Sequence, residues 1–276
     1  MIDLAPDLDA YFRRIEFDGR ATPTLATLAR LVERHAASIP FENIDVLCGR
    51  VPRLDLASLH DKLVRRRRGG YCFEQNAFFV AALRHIGFDA AGLEARVRFG
   101  VPADVVTART HMAVRVTLDG ERYLADVGFG GLAPTRPLKV VELEVQADAV
   151  DAYRLLTEDE DLLLQRRTGE GWSDCYRVAP SLPQAIDYEM GNWFVATHPN
   201  AFLRQNLLVG RSTVRGRLTL FNDTLTLRRP APEPEEERTL SSRAELGDAL
   251  ADEFGLPIDG GDLDAVSAVV ESRRAG

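Results

Sequence analysis

The sequence predicts a mixed α+β fold: helices in the first third, an antiparallel sheet or barrel in the middle, and a smaller mixed piece at the end. Three observations carry this. Apolar residues recur at helical spacing up to about residue 88, the period then drops to two, and helical spacing returns in the tail.

In the first third, Leu25, Leu28, Leu31, Val32 and His35 form one helical stripe that Thr24 can cap. Leu59 and Leu63 continue the pattern toward the run Arg65 to Arg68, and Gly87 closes a helix that opens near Cys72. Beyond residue 89, "VTLDGERYLADV" and "LTLFNDTLTLRR" read as hairpins turning at Asp119-Gly120 and Asn222-Asp223. In the tail, Ser242 and Glu245 form a capping box ahead of Leu246, Leu250 and Phe254. Gly255 and Pro257 end that helix, and Asp262 starts a last one. The stretch "RRPAPEPEEER", 228–238, is rich in Pro and Glu and reads as an exposed loop.

Composition narrows the function. With 276 residues and a net charge of −8, the chain can bury a real core but is a poor match for nucleic acid or an anionic membrane. No apolar run is long enough to span a bilayer, and the start lacks the basic and apolar regions of a signal peptide. Cys48, Cys72 and Cys175 are sparse and lack metal-ligand spacing, which suits free thiols in a reducing cytoplasm and gives no metal site.

The stretch "RRRRGGYCFEQN" places a thiol at the mouth of a helix. The helix N-terminus and the arginines supply positive potential that favours a thiolate, and the same N–H groups can hold an oxyanion. Gly69 and Gly70 read as a sharp turn leaving space above the sulfur. The plainer reading, a buried small cysteine beside a turn, stays open on these residues alone. A thiol nucleophile needs a base. Of the five histidines, His35 and His85 sit in helical patterns, His60 is followed by Asp61 at a helix start, and His198 lies in a Pro-bearing loop. His111 opens a strand in "THMAVRV", with Ala113 and Arg115 on its own face and Met112, Val114 and Val116 on the other. A two-residue turn at Asp119-Gly120 pairs Leu118 with Glu121. Carried down the ladder, it sets His111 opposite Gly128 and a diagonal step from Asp126. An Asp between Ala125 and Val127 on a buried strand needs a partner, either an imidazole or the following turn.

Together with "HAASIPFENIDVL", the motifs "RRGGYCFEQN", "THMAVRV" and "YLADVGFGG" in this order resemble the arylamine N-acetyltransferases. The resemblance implies a helical domain at 1–88 carrying the nucleophile, a β-barrel domain at 89–195 carrying His and Asp, and an α/β lid at 196–276. The catalytic core would be cysteine-protease-like. It implies a triad of Cys72, His111 and Asp126 running a ping-pong transfer from acetyl-CoA, a co-substrate rather than a bound cofactor, to an arylamine or arylhydrazine. The family's pocket aromatics map onto Phe129 and Phe202, and Val97 matches an apolar pocket position. Gly128, Gly130 and Gly131 would let the backbone approach the pantetheine arm. Glu42 and Arg68 resemble a structural ion pair of the family, while Arg65 to Arg67 read as a solvated face that could also meet CoA phosphates. Alternatives sharing the triad are an amide synthase fed by an acyl carrier protein and other thiol acyltransferases or hydrolases; a non-catalytic module would show an unreactive Cys72. Monomer or homodimer is left open.

Overall fold

Thr24 accepts the Thr27 N–H at 3.2 Å and opens the long second helix, as its side-chain chemistry predicts. The computed structural model describes residues 5–274 apart from 103, 170, 214 and 231. Its first part holds α1 (Leu8–Arg14), α2 (Leu25–Ser38), a short strand β1 (Phe41–Glu42), α3 (Ile44–Leu47), α4 (Leu56–His60) and α5 (Cys72–Ile86). Asp55, not His60, opens α4, by accepting the Ser58 N–H at 3.0 Å, and a π turn at Asp61–Arg65 prolongs the helix. Gly87, at φ 110°, stops α5 in a left-handed conformation that a side chain would resist.

The middle is one antiparallel sheet of β2 (Asp89–Val97), β3 (Arg109–Leu118), β4 (Glu121–Ala125), β5 (Leu138–Lys139), β6 (Gln146–Ala147), β7 (Ala152–Glu158), β8 (Asp161–Thr168) and β9 (Gly171–Val178). Its order, β5-β4-β3-β2-β9-β8-β7-β6, places β5 and β6 at the two ends. A side chain joins them: the Gln146 amide accepts the Lys139 N–H and donates to the Lys139 carbonyl, both at 2.8 Å. The sheet is thereby rolled into a nearly closed barrel.

The two faces of β3 have separate jobs. Met112, Val114 and Val116 join Phe73, Phe78, Phe79 and Leu83 of α5 in the core between helices and barrel. Ala113 points into the barrel interior with Leu93, Tyr153 and Tyr176. This is the alternation expected of a strand buried on both sides. Truncating a ring such as Phe78, fully buried in that first core, would cost about 3–5 kcal/mol.

The chain then forms α6 (Ala185–Thr197), α7 (Phe202–Gln205), β10 (Leu208–Thr213), β11 (Gly216–Phe221), β12 (Thr224–Arg228), β13 (Glu236–Thr239), α8 (Arg243–Asp248) and α9 (Gly260–Arg274). The second sheet runs β1-β10-β11-β12-β13, so the first part contributes a strand to the last one, a link that helical periodicity could not reveal. Two tail expectations shift. The end of the acidic stretch is an exposed edge strand, β13, whose charges protect an unpaired edge. The last helix begins at Gly260, because Asp259 accepts the Asp262 N–H at 2.8 Å, leaving the Asp262 carboxylate to pair with Arg50 at 2.7 Å. Among the described residues no helix is long and apolar enough to cross a membrane.

Candidate active site

Cys72 is the first residue of α5, and its helix start is fixed by Glu74, whose carboxylate accepts the Tyr71 N–H at 3.1 Å and the Lys62 ammonium at 2.7 Å. The sulfur is nearly buried and its S–H lies 3.6 Å from the Thr110 carbonyl. That carbonyl is available because the ladder between β2 and β3 slips there. Ala95 pairs with His111 and Arg96 with Arg109, so Thr110 is the extra residue of a bulge.

The hairpin register is the one the turn dictates, Leu118 opposite Glu121, and it ends at Val114 opposite Ala125. Asp126 follows directly and reaches across to His111, Nε2 to Oδ2 at 2.7 Å. Its other oxygen accepts the Asn76 amide at 2.9 Å and the Gly128 N–H at 2.8 Å, so the carboxylate is both the imidazole's partner and the cap of the turn. The two sequence alternatives for Asp126 are therefore both realised. With Nε2 committed to Asp126, Nδ1 is the nitrogen left to face Cys72. Burial alone would push the imidazole down. The Asp126 carboxylate, assisted by Cys72, outweighs it and holds His111 up at about 10. A positively charged ring beside a thiol is the counter-ion a thiolate requires.

Phe129 packs on this ring, centroids 4.8 Å apart, and both rings meet Tyr176 of β9, at 4.9 and 4.7 Å. Val97 pairs with Tyr176 across β2 and β9, which sets it on the same face. Phe202 is 57% exposed and stacks on Phe221, centroids 5.9 Å apart.

Gly69 and Gly70 do different work from the sequence reading. A Cβ on Gly69 would strike the Pro40 carbonyl oxygen, and one on Gly70 would lie 3.0 Å from Glu74, so protein atoms rather than open space fill those positions. A Cβ on Gly128 would lie 2.7 Å from both Cys72 Cα and the Asn76 amide, and one on Gly131 would strike Thr219 of β11. Close packing of the segment between α5 and β11 accounts for both. Gly130 alone needs glycine's conformational freedom, at φ 61°.

Two residues at the site went unmarked in the sequence. Asn76 lies one helical turn beyond Cys72. It bridges Asp126, the Val127 N–H at 3.1 Å and the Met112 carbonyl at 2.6 Å. Its signal was a polar side chain one helical turn beyond Cys72, just ahead of the apolar run 77–83. Tyr176 had no local signal, since it arrives from a strand far along the chain. The expected pair of Arg68 and Glu42 is present at 2.8 Å, within a buried cluster that also includes Lys62, Asp45 and Glu74. Arg65, Arg66 and Arg67 are exposed, with Arg66 paired to Asp61 at 3.0 Å.

A family model described as N-acetyltransferase matches residues 24–263. The arylamine N-acetyltransferase of Escherichia coli K12 is 40% identical over 257 residues, covering 93% of this chain and 91% of that protein. The chain belongs to the arylamine N-acetyltransferase family. The enzyme of that name from Mycolicibacterium smegmatis is 38% identical over 94% of each chain. Among solved structures, the Mycobacterium marinum arylamine N-acetyltransferase in complex with CoA superposes with a TM-score of 0.90 at 35% identity, covering 96% of this chain and 99% of that one. The Salmonella typhimurium enzyme does so with a TM-score of 0.89 at 36% identity, covering 96% and 98%. Membership makes this chain an acyltransferase with the mixed fold of those structures.

Proposed function

We propose that this chain moves an acetyl group from acetyl-CoA to the nitrogen of an arylamine or arylhydrazine through a thioester on Cys72. The carrying observation is the buried His111–Asp126 pair, 2.7 Å apart, beside a thiol at the first position of a helix. In the first half-reaction the Cys72 sulfur attacks the acetyl carbonyl, the oxygen takes the electron pair, and collapse expels the CoA thiolate, which leaves with the proton held by His111. In the second, the amine nitrogen attacks the thioester. His111 takes its proton, and collapse returns Cys72 as thiolate beside an imidazolium. Asp126 keeps the ring oriented through both halves.

Phe129 and Val97 would wall the acceptor's ring, and Phe202 would lie at the pocket's outer rim, since an aryl acceptor favours an aromatic, largely dry surface. The backbone of Gly128, Gly130 and Gly131 would form the track for the pantetheine arm; the closeness of Gly128 to Cys72 supports this. The working division is 1–88, 89–195 and 196–276, with β1 lent to the last unit. Three free thiols suit a reducing, cytoplasmic setting. Similarity over nine-tenths of both chains to N-acetyltransferases, one of them solved with CoA, favours a CoA donor over a carrier protein.

The test is release of free CoA thiol from acetyl-CoA with and without an arylamine. Release should require the amine and vanish in Cys72→Ala with the fold intact. A Cys72→Ala protein keeping more than about one per cent of the rate would remove Cys72 from the nucleophile's role. Silence with every small amine, while Cys72 still alkylates readily, would point to a carrier-protein donor.

A further inference from the structure

We propose that Arg217 and Arg228 of the second sheet, with Tyr153 of the barrel, are positioning residues that set acceptor selectivity by holding the turn behind Phe129. The proposal rests on the reading of Phe129 as a pocket wall.

Beyond Phe129 and Gly130 come three residues whose carbonyls are each held from outside the turn. The Gly131 oxygen accepts from Arg228 at 3.1 Å, the Leu132 oxygen from the Tyr153 hydroxyl at 3.2 Å, and the Ala133 oxygen from Arg217 at 2.6 Å. The donors are themselves locked. The Tyr153 hydroxyl accepts from Arg217 at 3.0 Å, Asp151 meets Arg217 at 2.7 Å, Arg228 at 2.9 Å and Arg166 at 3.1 Å, and Asp148 pairs with Arg217. Three guanidinium groups face two carboxylates, an excess of one positive charge in a buried place. The carbonyl dipoles of Gly131 and Ala133 are what take up that excess. Displacing the turn would therefore take an acceptor from both Arg217 and Arg228. Protein also closes in at the backbone, for Gly131 packs on Thr219 and Gly130 on the Phe41 ring.

Phe129 thus cannot swing back from His111 unless a buried ionic cluster gives way. A wall fixed in this manner discriminates acceptors by size, whereas a wall that yields admits larger rings. Arg217 is too central for a clean test, since its loss leaves two carboxylates buried. Arg228 is partly exposed, and Tyr153→Phe removes one hydrogen bond to the turn and one acceptor of Arg217 without deleting a charge.

The experiment compares kcat/KM for a one-ring and a two-ring arylamine in wild type, Phe129→Leu, Arg228→Met and Tyr153→Phe, with Tm and the iodoacetamide alkylation rate of Cys72 as controls. Phe129→Leu should shift the two-ring to one-ring ratio by about 10-fold. Arg228→Met should shift it in the same direction by about 5-fold and Tyr153→Phe by about 2-fold, with Cys72 alkylation unchanged. If Arg228→Met does not fold, Arg228→Lys, which keeps the charge but not the planar fork, takes its place, and its ratio should lie between wild type and Phe129→Leu. A ratio that moves in Phe129→Leu alone, while the cluster variants only lose Tm, overturns the proposal and leaves the pocket reading standing. A ratio unmoved even by Phe129→Leu overturns both.

Discussion

His35 and His111 are both sealed from solvent, and both lie by the start of α5, His35 bonded to Gln75 and His111 beside Cys72. Their charge states are opposite. His35 is pushed down to about 3 by burial, only partly opposed by Gln75, whereas His111 is held up at about 10. The difference is the partner. His35 accepts from the Tyr11 hydroxyl through Nδ1 at 2.9 Å and donates through Nε2 to the Gln75 carbonyl oxygen at 3.0 Å, so both nitrogens of a neutral ring are used. At His111 a carboxylate replaces the neutral partner, and one nitrogen faces a reactive thiol. A buried histidine becomes a proton carrier when one side is charged and the other is left for chemistry. It becomes a core residue when both sides are closed by neutral groups.

Asp126→Asn breaks this contrast most directly, because it gives His111 the neutral kind of partner that His35 has. Amine transfer should fall by about 10³–10⁴-fold, the scale seen when an orienting carboxylate is lost from other triads. Iodoacetamide alkylation of Cys72 near pH 7 should slow with it. Near wild-type transfer in Asp126→Asn would mean that the carboxylate is not what separates the two histidines.

A second consequence concerns stability. The folded state holds the His111 proton more tightly than the unfolded chain, so the contribution is present in full below the ordinary histidine value near 6.5. It is lost as pH rises through about 10. The stability gap between wild type and His111→Gln, read from urea midpoints, should narrow over that window. A gap independent of pH from 6 to 10 would show that His111 is not held as imidazolium.

Much of the site was legible because its signals were local. The helix opening at Cys72, the Leu118–Glu121 register and the two faces of β3 each follow from residues within a dozen positions of one another. What escaped notice depends on distant segments. Tyr176 meets His111 from β9, β1 pairs with β10, and Arg217 finds Asp148 and Asp151 across two sheets. Alternation says which face a residue occupies and not who stands opposite. The glycines show the same limit from another side: Gly69 announces that something comes close, but only packing tells that it is the Pro40 carbonyl rather than open space above the thiol.

The smallest expected effect on catalysis belongs to His35→Gln. Disturbing a fully bonded buried ring should cost about 1–3 kcal/mol of stability. Transfer per folded molecule should stay within about twofold of wild type, since no partner of His35 touches the reacting sulfur. The pH dependence runs opposite to that of His111. A folded-state value near 3 lies below that of the unfolded chain, so the contribution of a neutral His35 is present above about 6.5 and is lost as pH falls through about 3. Urea midpoints of wild type and His35→Gln should therefore converge on acidification, where the His111 pair converges on raising the pH. Gln75 links the two regions, because its amide also donates to the Gly70 carbonyl at 2.6 Å, in the turn that leads to Cys72. A tenfold loss of transfer in folded His35→Gln would mean that this chain of hydrogen bonds positions the thiol, and His35 would then belong to the catalytic apparatus rather than to the core.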